Sequence, residues 1–343
     1  QAAEMDVLHF QEFGGPEGIQ PSMLKAARAA GFAVVVTLHL VHYICRAGTM
    51  RYGSWKPCSG KLIPNRCGSC ILFSEATSNR YANYWITRFF HFQFNLIQRF
   101  HLPVPRKVKQ TMEQFDLRLP FIQQLKEDAH VVVSLTQWFR DVLKQNGIPD
   151  EKIVYLSQVT PQVPLATTAD RKGFVFVGRI NHEKGIELLY AAARLLEKNP
   201  DVFIDVYGPI QSTIGNAKDF IQQMGERKNI RYKGVLKPEA VLSVINGYRG
   251  LLLPSRVAEM APLTIMDANA LRIPVIASDV PGSAELIHQY QCGLIFEYGN
   301  AHDLAKKIMQ VQQGITSFTF IQPAERSFSD VAIQYDQIYN RAS

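Results

Sequence analysis

The chain has 343 residues, 47% hydrophobic and 20% charged. That is an ordinary globular balance; it excludes a disordered or fibrous chain and leaves enough apolar mass for two domain cores. Lys and Arg outnumber Asp and Glu by 37 to 30, and +6 of the net +7 falls on residues 1–165, so an anionic partner is expected at the first half.

The predicted elements alternate strand and helix. Residues 7–10 read as a short strand, 22–30 as an Ala-rich helix closed by Gly31, and 33–38 as a buried β-branched strand. The apolar stretch 32–45 contains His39 and His42 and falls short of the roughly 20 residues of a bilayer span. Residues 45–75 read as a loop rich in Cys, Gly and Pro, and 81–100 as an aromatic helix. A strand at 131–134, a helix at 137–145 stopped by Gly147-Ile148-Pro149 and a strand at 153–156 complete the first half. Residues 157–171, with Pro161 and Pro164, read as a linker. They divide the chain into domains 1–165 and 166–326. The second half runs strand 174–177, helix 182–198, strand 202–207, helix 217–224, strand 230–233, helix 238–246, strand 250–254, helix 262–270 and strand 274–277. A final helix within 327–343 carries Phe328, Val331, Tyr335, Ile338 and Tyr339 on one face and is expected to pack back towards the first domain. Strands separated by single helices predict parallel, doubly wound α/β sheets, one in each domain. Ligands of such sheets sit beyond the C-terminal strand ends.

Two segments carry candidate chemistry. In Phe176-Val177-Gly178-Arg179-Ile180-Asn181-His182-Glu183-Lys184-Gly185 a strand turns tightly into a helix. Gly178 allows close backbone approach, Arg179 offers a planar fork and Lys184 a compact charge, a set that suits a diphosphate. The competing reading is a solvated surface pair. In the second segment, 253–267, Pro262 opens a helix, and the amides of Leu263 and Thr264 face out of its N-terminus. Glu259 in the loop and Asp267 one turn into the helix could hold sugar hydroxyls, or be an ordinary loop acid and a helix-dipole acid.

Cys45, Cys58, Cys67 and Cys70, the last two as C-x2-C, could close a structural zinc site that staples the long loop; the alternatives are unligated thiols or a redox pair. Tyr81, Tyr84, Trp85, Phe89, Phe90, Phe92, Phe94 and Phe100 crowd one helix with Arg80, Arg88 and Arg99 interleaved and Arg106, Lys107 and Lys109 following. A helix packed between sheet and Cys loop with Arg at its rim is set slightly ahead of contact with an anionic membrane surface, and both are set ahead of nucleic acid.

The order of F-V-G-R-x-x-x-E-K-G, L-P-S, the acid pair Glu259 and Asp267, I-P-V-I-A-S-D-V-P-G-S-A-E-L-I and Cys292-Gly293-Leu294 resembles the donor-binding domain of the family 4 retaining glycosyltransferases, from about Lys172 to the final helix. The resemblance implies a GT-B fold and transfer of a hexose from a UDP- or GDP-linked sugar to a hydroxyl of a glycan or lipid-linked acceptor. It assigns Arg179 and Lys184 to the diphosphate, Glu259 to the transferred sugar and Asp267 to the ribose, with Gly178, Ala261, Pro262, Leu263 and Thr264 lining the donor site. Asp267 stands where Glu is usual, and Pro281-Gly282-Ser283 where Gly-Gly is more usual. More loosely, Thr37-Leu38-His39 followed by Cys45-Arg46-Ala47-Gly48-Thr49 resembles the acceptor-side T-L-H-D-x-W and C-P-x-G. This carries a donor-facing role to His39, with His42 competing; Leu40 replaces the usual Asp. The family works without a catalytic divalent metal, and the sequence has no D-x-D pattern. Against the family's pattern, the first part of the acceptor domain is expected to be missing before residue 7. Glu4 and Asp6 near the start are unlike a secretory signal. A role in polysaccharide biosynthesis, in the cytoplasm or peripherally on the inner membrane face, is therefore expected. A non-catalytic nucleotide-sugar-binding subunit is the alternative. An NAD-dependent enzyme is disfavoured because no G-x-G-x-x-G follows an early strand.

Overall fold

A computed structural model of the chain describes residues 6–13, 20–77, 79–100, 103, 106, 109–110, 118–159, 171–211, 217–323 and 327–342. The chain divides into two compact units, residues 1–157 with 328–343, and residues 158–327. The expected linker, with Pro161, Pro164 and the 165/166 boundary, lies outside the described residues over 160–170.

In the first unit, strands β1 (Val7–Phe10), β2 (Ala33–Thr37), β5 (Val131–Ser134) and β6 (Ile153–Tyr155) form a parallel sheet in the order β1-β2-β5-β6. Every residue of β2 and β5 is buried, as expected for Val-rich strands covered on both faces. Helix α1 (Ser22–Ala29) packs on β2 and on α4 (Arg118–Asp128). Helix α5 (Gln137–Gln145) precedes β6. The final helix, α12 (Phe328–Ala342), belongs to this unit: Ile338 and Ala342 share a core with Val35, Val133 and Leu156. Phe328, expected on its buried face, is 82% exposed. Residues 45–75 are more ordered than a loop. They contain the hairpin β3 (Arg51–Tyr52) and β4 (Lys56–Pro57), then α2 (Pro64–Phe73), which carries Cys67 and Cys70 on one face and packs against α3 (Arg80–Phe100). Pro64 at its first position sets the helix start.

The second unit has a six-stranded parallel sheet of β7 (Phe174–Val177), β8 (Ile204–Tyr207), β9 (Ile230–Gly234), β10 (Gly250–Leu253), β11 (Val275–Ser278) and β12 (Gly293–Phe296). Their order is β9-β8-β7-β10-β11-β12. The winding reverses between the neighbours β7 and β10, so loops leaving their C-terminal ends diverge and leave a crevice between them. The helices are α6 (Ile186–Leu195), α7 (Ala217–Gly225), α8 (Val241–Asn246), α9 (Leu263–Ala270), α10 (Ser283–Tyr290) and α11 (Ala301–Gln312). Helix α6 starts four residues later than expected because Gly185 caps it in the left-handed region, φ 73°. Pro262 is the residue before α9 rather than its first residue. Phe174, Phe176, Leu189, Ile204, Val206 and Leu252 belong to one core layer, and Val175, Leu251, Leu253, Ile265 and Val275 to another.

Candidate active site

The turn after β7 and the loop after β10 are locked together at the switch point. Arg256 N–H donates to Glu183 O at 2.7 Å, and a Cβ added to Gly185 would lie 2.0 Å from Pro254 O. Glu259 N–H donates to Pro281 O at 3.0 Å, which brings in the loop after β11. Segments far apart in sequence thus converge at the C-terminal edge of three adjacent strands.

Lys184 and Glu259 meet there. Lys184 Nζ lies 2.7 Å from Glu259 Oε1, and the two side chains are 18% and 11% exposed. The Ser255 hydroxyl donates to the same Oε1 at 2.6 Å. Asn181, buried, fixes the turn by accepting from Lys184 N–H at 2.8 Å, and its amide donates to Gln211 at 2.7 Å. Arg179 stands exposed one residue past Gly178. Backbone packs closely against backbone at this turn through a second glycine, Gly208. A Cβ on Gly208, at φ 144°, would sit 1.8 Å from Gly178 O, whereas at Gly178 it would meet only ordinary contacts.

Ala261 has φ 75°, a strained conformation for a residue with a Cβ, just ahead of α9. The first intrahelical bond of α9 is Ile265 N–H to Pro262 O at 3.1 Å, so the amides of Leu263 and Thr264 precede it and point out of the helix. Leu263 is exposed, and Asp267 sits one turn in, where burial raises its carboxyl pKa to about 6.

In the first unit, His39 follows the C-terminal end of β2. Its backbone N–H donates to Glu12 Oε2 at 2.9 Å, and its Nε2 lies 3.1 Å from Gln11 Oε1. Glu12 also accepts from Phe13 N–H, and Tyr43 O–H donates to Phe13 O at 2.5 Å. Beneath it, His9 Nε2 is 2.8 Å from Thr37 Oγ1 and its Nδ1 is 2.9 Å from Tyr339 OH. Burial, with His39 nearby, lowers the His9 pKa to about 4. His42, the competing candidate, lies in a short turn, Val41–Tyr43. Sequence reasoning did not single out His9, Gln11 or Glu12.

Cys45, Cys58, Cys67 and Cys70 all line one cavity of about 40 Å³ with Met50 and Tyr52. Among the described residues no three His, Cys, Asp or Glu side chains are grouped so as to hold a metal ion. Burial pushes the Cys67 and Cys70 thiols up to about 11 and about 12, and Cys70 Sγ donates to Arg51 O at 3.7 Å, as a protonated thiol does. No described helix is long and apolar enough to cross a membrane.

Residues 163–314 match the family described as Glycosyl transferases group 1. Among curated relatives, an α-D-kanosaminyltransferase of Streptomyces kanamyceticus is 30% identical over 187 residues, 49% of this chain and 47% of that protein. A D-inositol 3-phosphate glycosyltransferase of Corynebacterium aurimucosum is 24% identical over 243 residues, 64% of this chain and 56% of that protein. The chain spans about half the length of these relatives. Among solved structures, Anabaena Alr3699/HepE in complex with UDP and glucose aligns with a TM-score of 0.56 at 16% identity, over 99% of this chain and 100% of that one. That likeness concerns fold, and the fold is the GT-B type.

Proposed function

With residues 163–314 belonging to the glycosyl transferases group 1 family, we propose that the chain is a retaining glycosyltransferase that moves a hexose from a UDP- or GDP-linked sugar to a hydroxyl of a glycan or lipid-linked acceptor in the cytoplasm. The observation that carries this reading is the Lys184–Glu259 pair at the β7/β10 switch point, with exposed Arg179 on the same turn as Lys184. HepE, with the same fold, was solved with UDP and glucose.

The difficulty in this chemistry is charge. The bond to the diphosphate breaks as the sugar gains oxocarbenium character. Arg179, Lys184 and the outward amides of Leu263 and Thr264 supply positive charge for the departing diphosphate from groups already in place. This donor set needs no divalent ion, in keeping with the missing D-x-D pattern. Lys184 donates one of its three N–H groups to Glu259 and keeps two for phosphate oxygens. Glu259 accepts from Lys184 and Ser255 through Oε1, which leaves Oε2 for a sugar hydroxyl. Asp267 accepts from the ribose hydroxyls as a carboxylate. To His39, its backbone held by Glu12 and its ring by Gln11, we assign the sugar-orienting role that the resemblance implies. In the retaining course the acceptor attacks on the leaving-group face, and a diphosphate oxygen takes its proton.

Calorimetric titration of UDP and GDP tests the donor half. Arg179→Ala should weaken nucleotide binding more than tenfold, about 1.5–3 kcal/mol. Equal binding by the variant, or none by the native chain, overturns the assignment. Analysis of the anomeric product tests retention.

A further inference from the structure

Helix α3 has two faces. On one, Asn83, Thr87 and Phe94 are buried, and Phe90 stacks on Phe73 of α2 with ring centroids 4.0 Å apart. On the other, Tyr81, Trp85, Phe89, Phe92 and Phe100 are between 46% and 63% exposed. At the helical repeat these five residues, with Arg88 and Arg99 at one margin, fall within an arc of about 120°. The expected packing of this helix therefore accounts for three of its eight Phe, Tyr and Trp side chains, Tyr84, Phe90 and Phe94, and leaves five facing outward.

The charge around this stripe has one sign. Residues 76–112 contain six Lys and Arg and no Asp or Glu, against a net charge of +7 for the whole chain. The Arg80 guanidinium lies over the Tyr81 ring at 5.2 Å, and that of Arg99 lies 5.9 Å from the Phe100 ring centre. Exposed helix surfaces usually mix both charge signs, and large aromatic side chains usually point inward. A convex apolar stripe with cations at its margin matches a surface that is apolar below and anionic above. Trp and Tyr rings settle at headgroup depth, Phe reaches the acyl boundary, and Arg pairs with lipid phosphate. A second copy of the chain is a poor occupant, since like cations would face one another with no acid between them. Single-stranded nucleic acid is bound by grooves that track its backbone, and this face is a ridge.

We propose that the Tyr81–Trp85–Phe89–Phe92 face of α3 seats the first unit on an anionic lipid bilayer. The inference deepens the transferase reading by placing its acceptor at a membrane surface, and rests on that reading only in this last step.

The test uses the full chain with vesicles of phosphatidylcholine alone and of phosphatidylcholine with about one-third phosphatidylglycerol. The native chain should co-sediment with the anionic vesicles, lose binding as salt rises, and ignore the neutral ones. In a variant that keeps only Trp85 (Trp55→Phe, Trp138→Phe), emission should shift to the blue on anionic vesicles. Trp85→Ser with Phe89→Ser and Phe92→Ser should lower partition about tenfold or more. Arg88→Gln should lower it about fivefold. Equal partition of native and triple-Ser chains, or no spectral shift at Trp85, overturns the proposal. So does retention on single-stranded RNA, or self-association, that the triple-Ser chain loses while vesicle binding persists. Titrating UDP into the same chains separates the two readings. Vesicle binding without UDP binding sinks the donor assignment alone; UDP binding by a chain that ignores vesicles sinks this inference alone.

Discussion

Lys184 and Glu259 stand 75 positions apart in sequence, yet the ammonium of one is 2.7 Å from the carboxylate of the other. The pair is largely buried, so removing one partner leaves an uncompensated charge. Lys184→Ala should cost about 2 kcal/mol of stability and weaken UDP binding tenfold or more. Adding Glu259→Gln should restore most of the stability and none of the affinity. Chemical denaturation and calorimetry on the three variants measure both; additive stability losses would mean that the two side chains do not interact.

Asp267 sets a pH dependence. Burial raises its pKa from 3.8 to about 6, so the folded chain holds a proton that the unfolded chain has released. Its carboxylate therefore costs stability increasingly as pH rises from 3.8 through 6, and in full above that. Asp267→Asn should raise the melting temperature of the nucleotide-free protein at pH 7.5 and leave it unchanged below pH 4. In the native chain, nucleotide affinity should fall as pH drops through about 6, where the acceptor for ribose is protonated; Asp267→Asn should flatten that profile.

His9 behaves in the opposite sense. Its pKa is lowered from 6.5 to about 4, so the stability tied to its neutral form is present above 6.5 and is lost as pH falls towards 4. Tyr339→Phe removes the hydroxyl at its Nδ1 and should cost about 1 kcal/mol, most visibly as faster hydrogen exchange in α12.

Gly208→Ala should be severe. The new methyl carbon would lie 1.8 Å from Gly178 O at a φ of 144°, so the turn after β7 would have to move. We expect a loss of about 2 kcal/mol or more, with a lowered melting temperature and weakened UDP binding together. Gly31→Ala, also at positive φ but with open space around it, should cost only about 1 kcal/mol.

Cys67 and Cys70 should react slowly. Thiolate is the reactive form, and thiols at about 11 and about 12 hold little of it at pH 7.5. Iodoacetamide followed by peptide mass mapping should label both far more slowly in the folded chain than in denaturant. Fast labelling in the folded state would show that the cavity they line opens readily.

What could be read from the sequence follows from which interactions are local. Runs such as Ala33–Thr37 and Gly250–Leu253 announce buried parallel strands by composition alone, and the F-V-G-R and L-P-S segments announce the turns that follow strands. Other elements were masked. Helix α2 contains Cys67-Gly68-Ser69-Cys70, a pattern that reads as a loop, and Pro120 in the first turn hides α4. Contacts across the sheet were illegible: Glu12 reaches His39 only because β1 pairs beside β2, and Glu259 reaches Lys184 only because β10 pairs beside β7. Gly208 needs to be glycine because of a carbonyl 30 residues earlier, which no local pattern reveals.

The placement of α12 has a consequence for how the protein is made. The first unit is closed by residues 328–343, after the whole of 158–327 has been synthesised. During translation the second unit has every strand of its sheet before the ribosome delivers the helix that completes its neighbour. The first unit must wait with the Val35 and Val133 side of its sheet uncovered, the side on which Ile338 and Ala342 eventually land. Stopping synthesis before residue 328 should therefore yield a folded second unit joined to a first unit that is protease-sensitive and prone to aggregate.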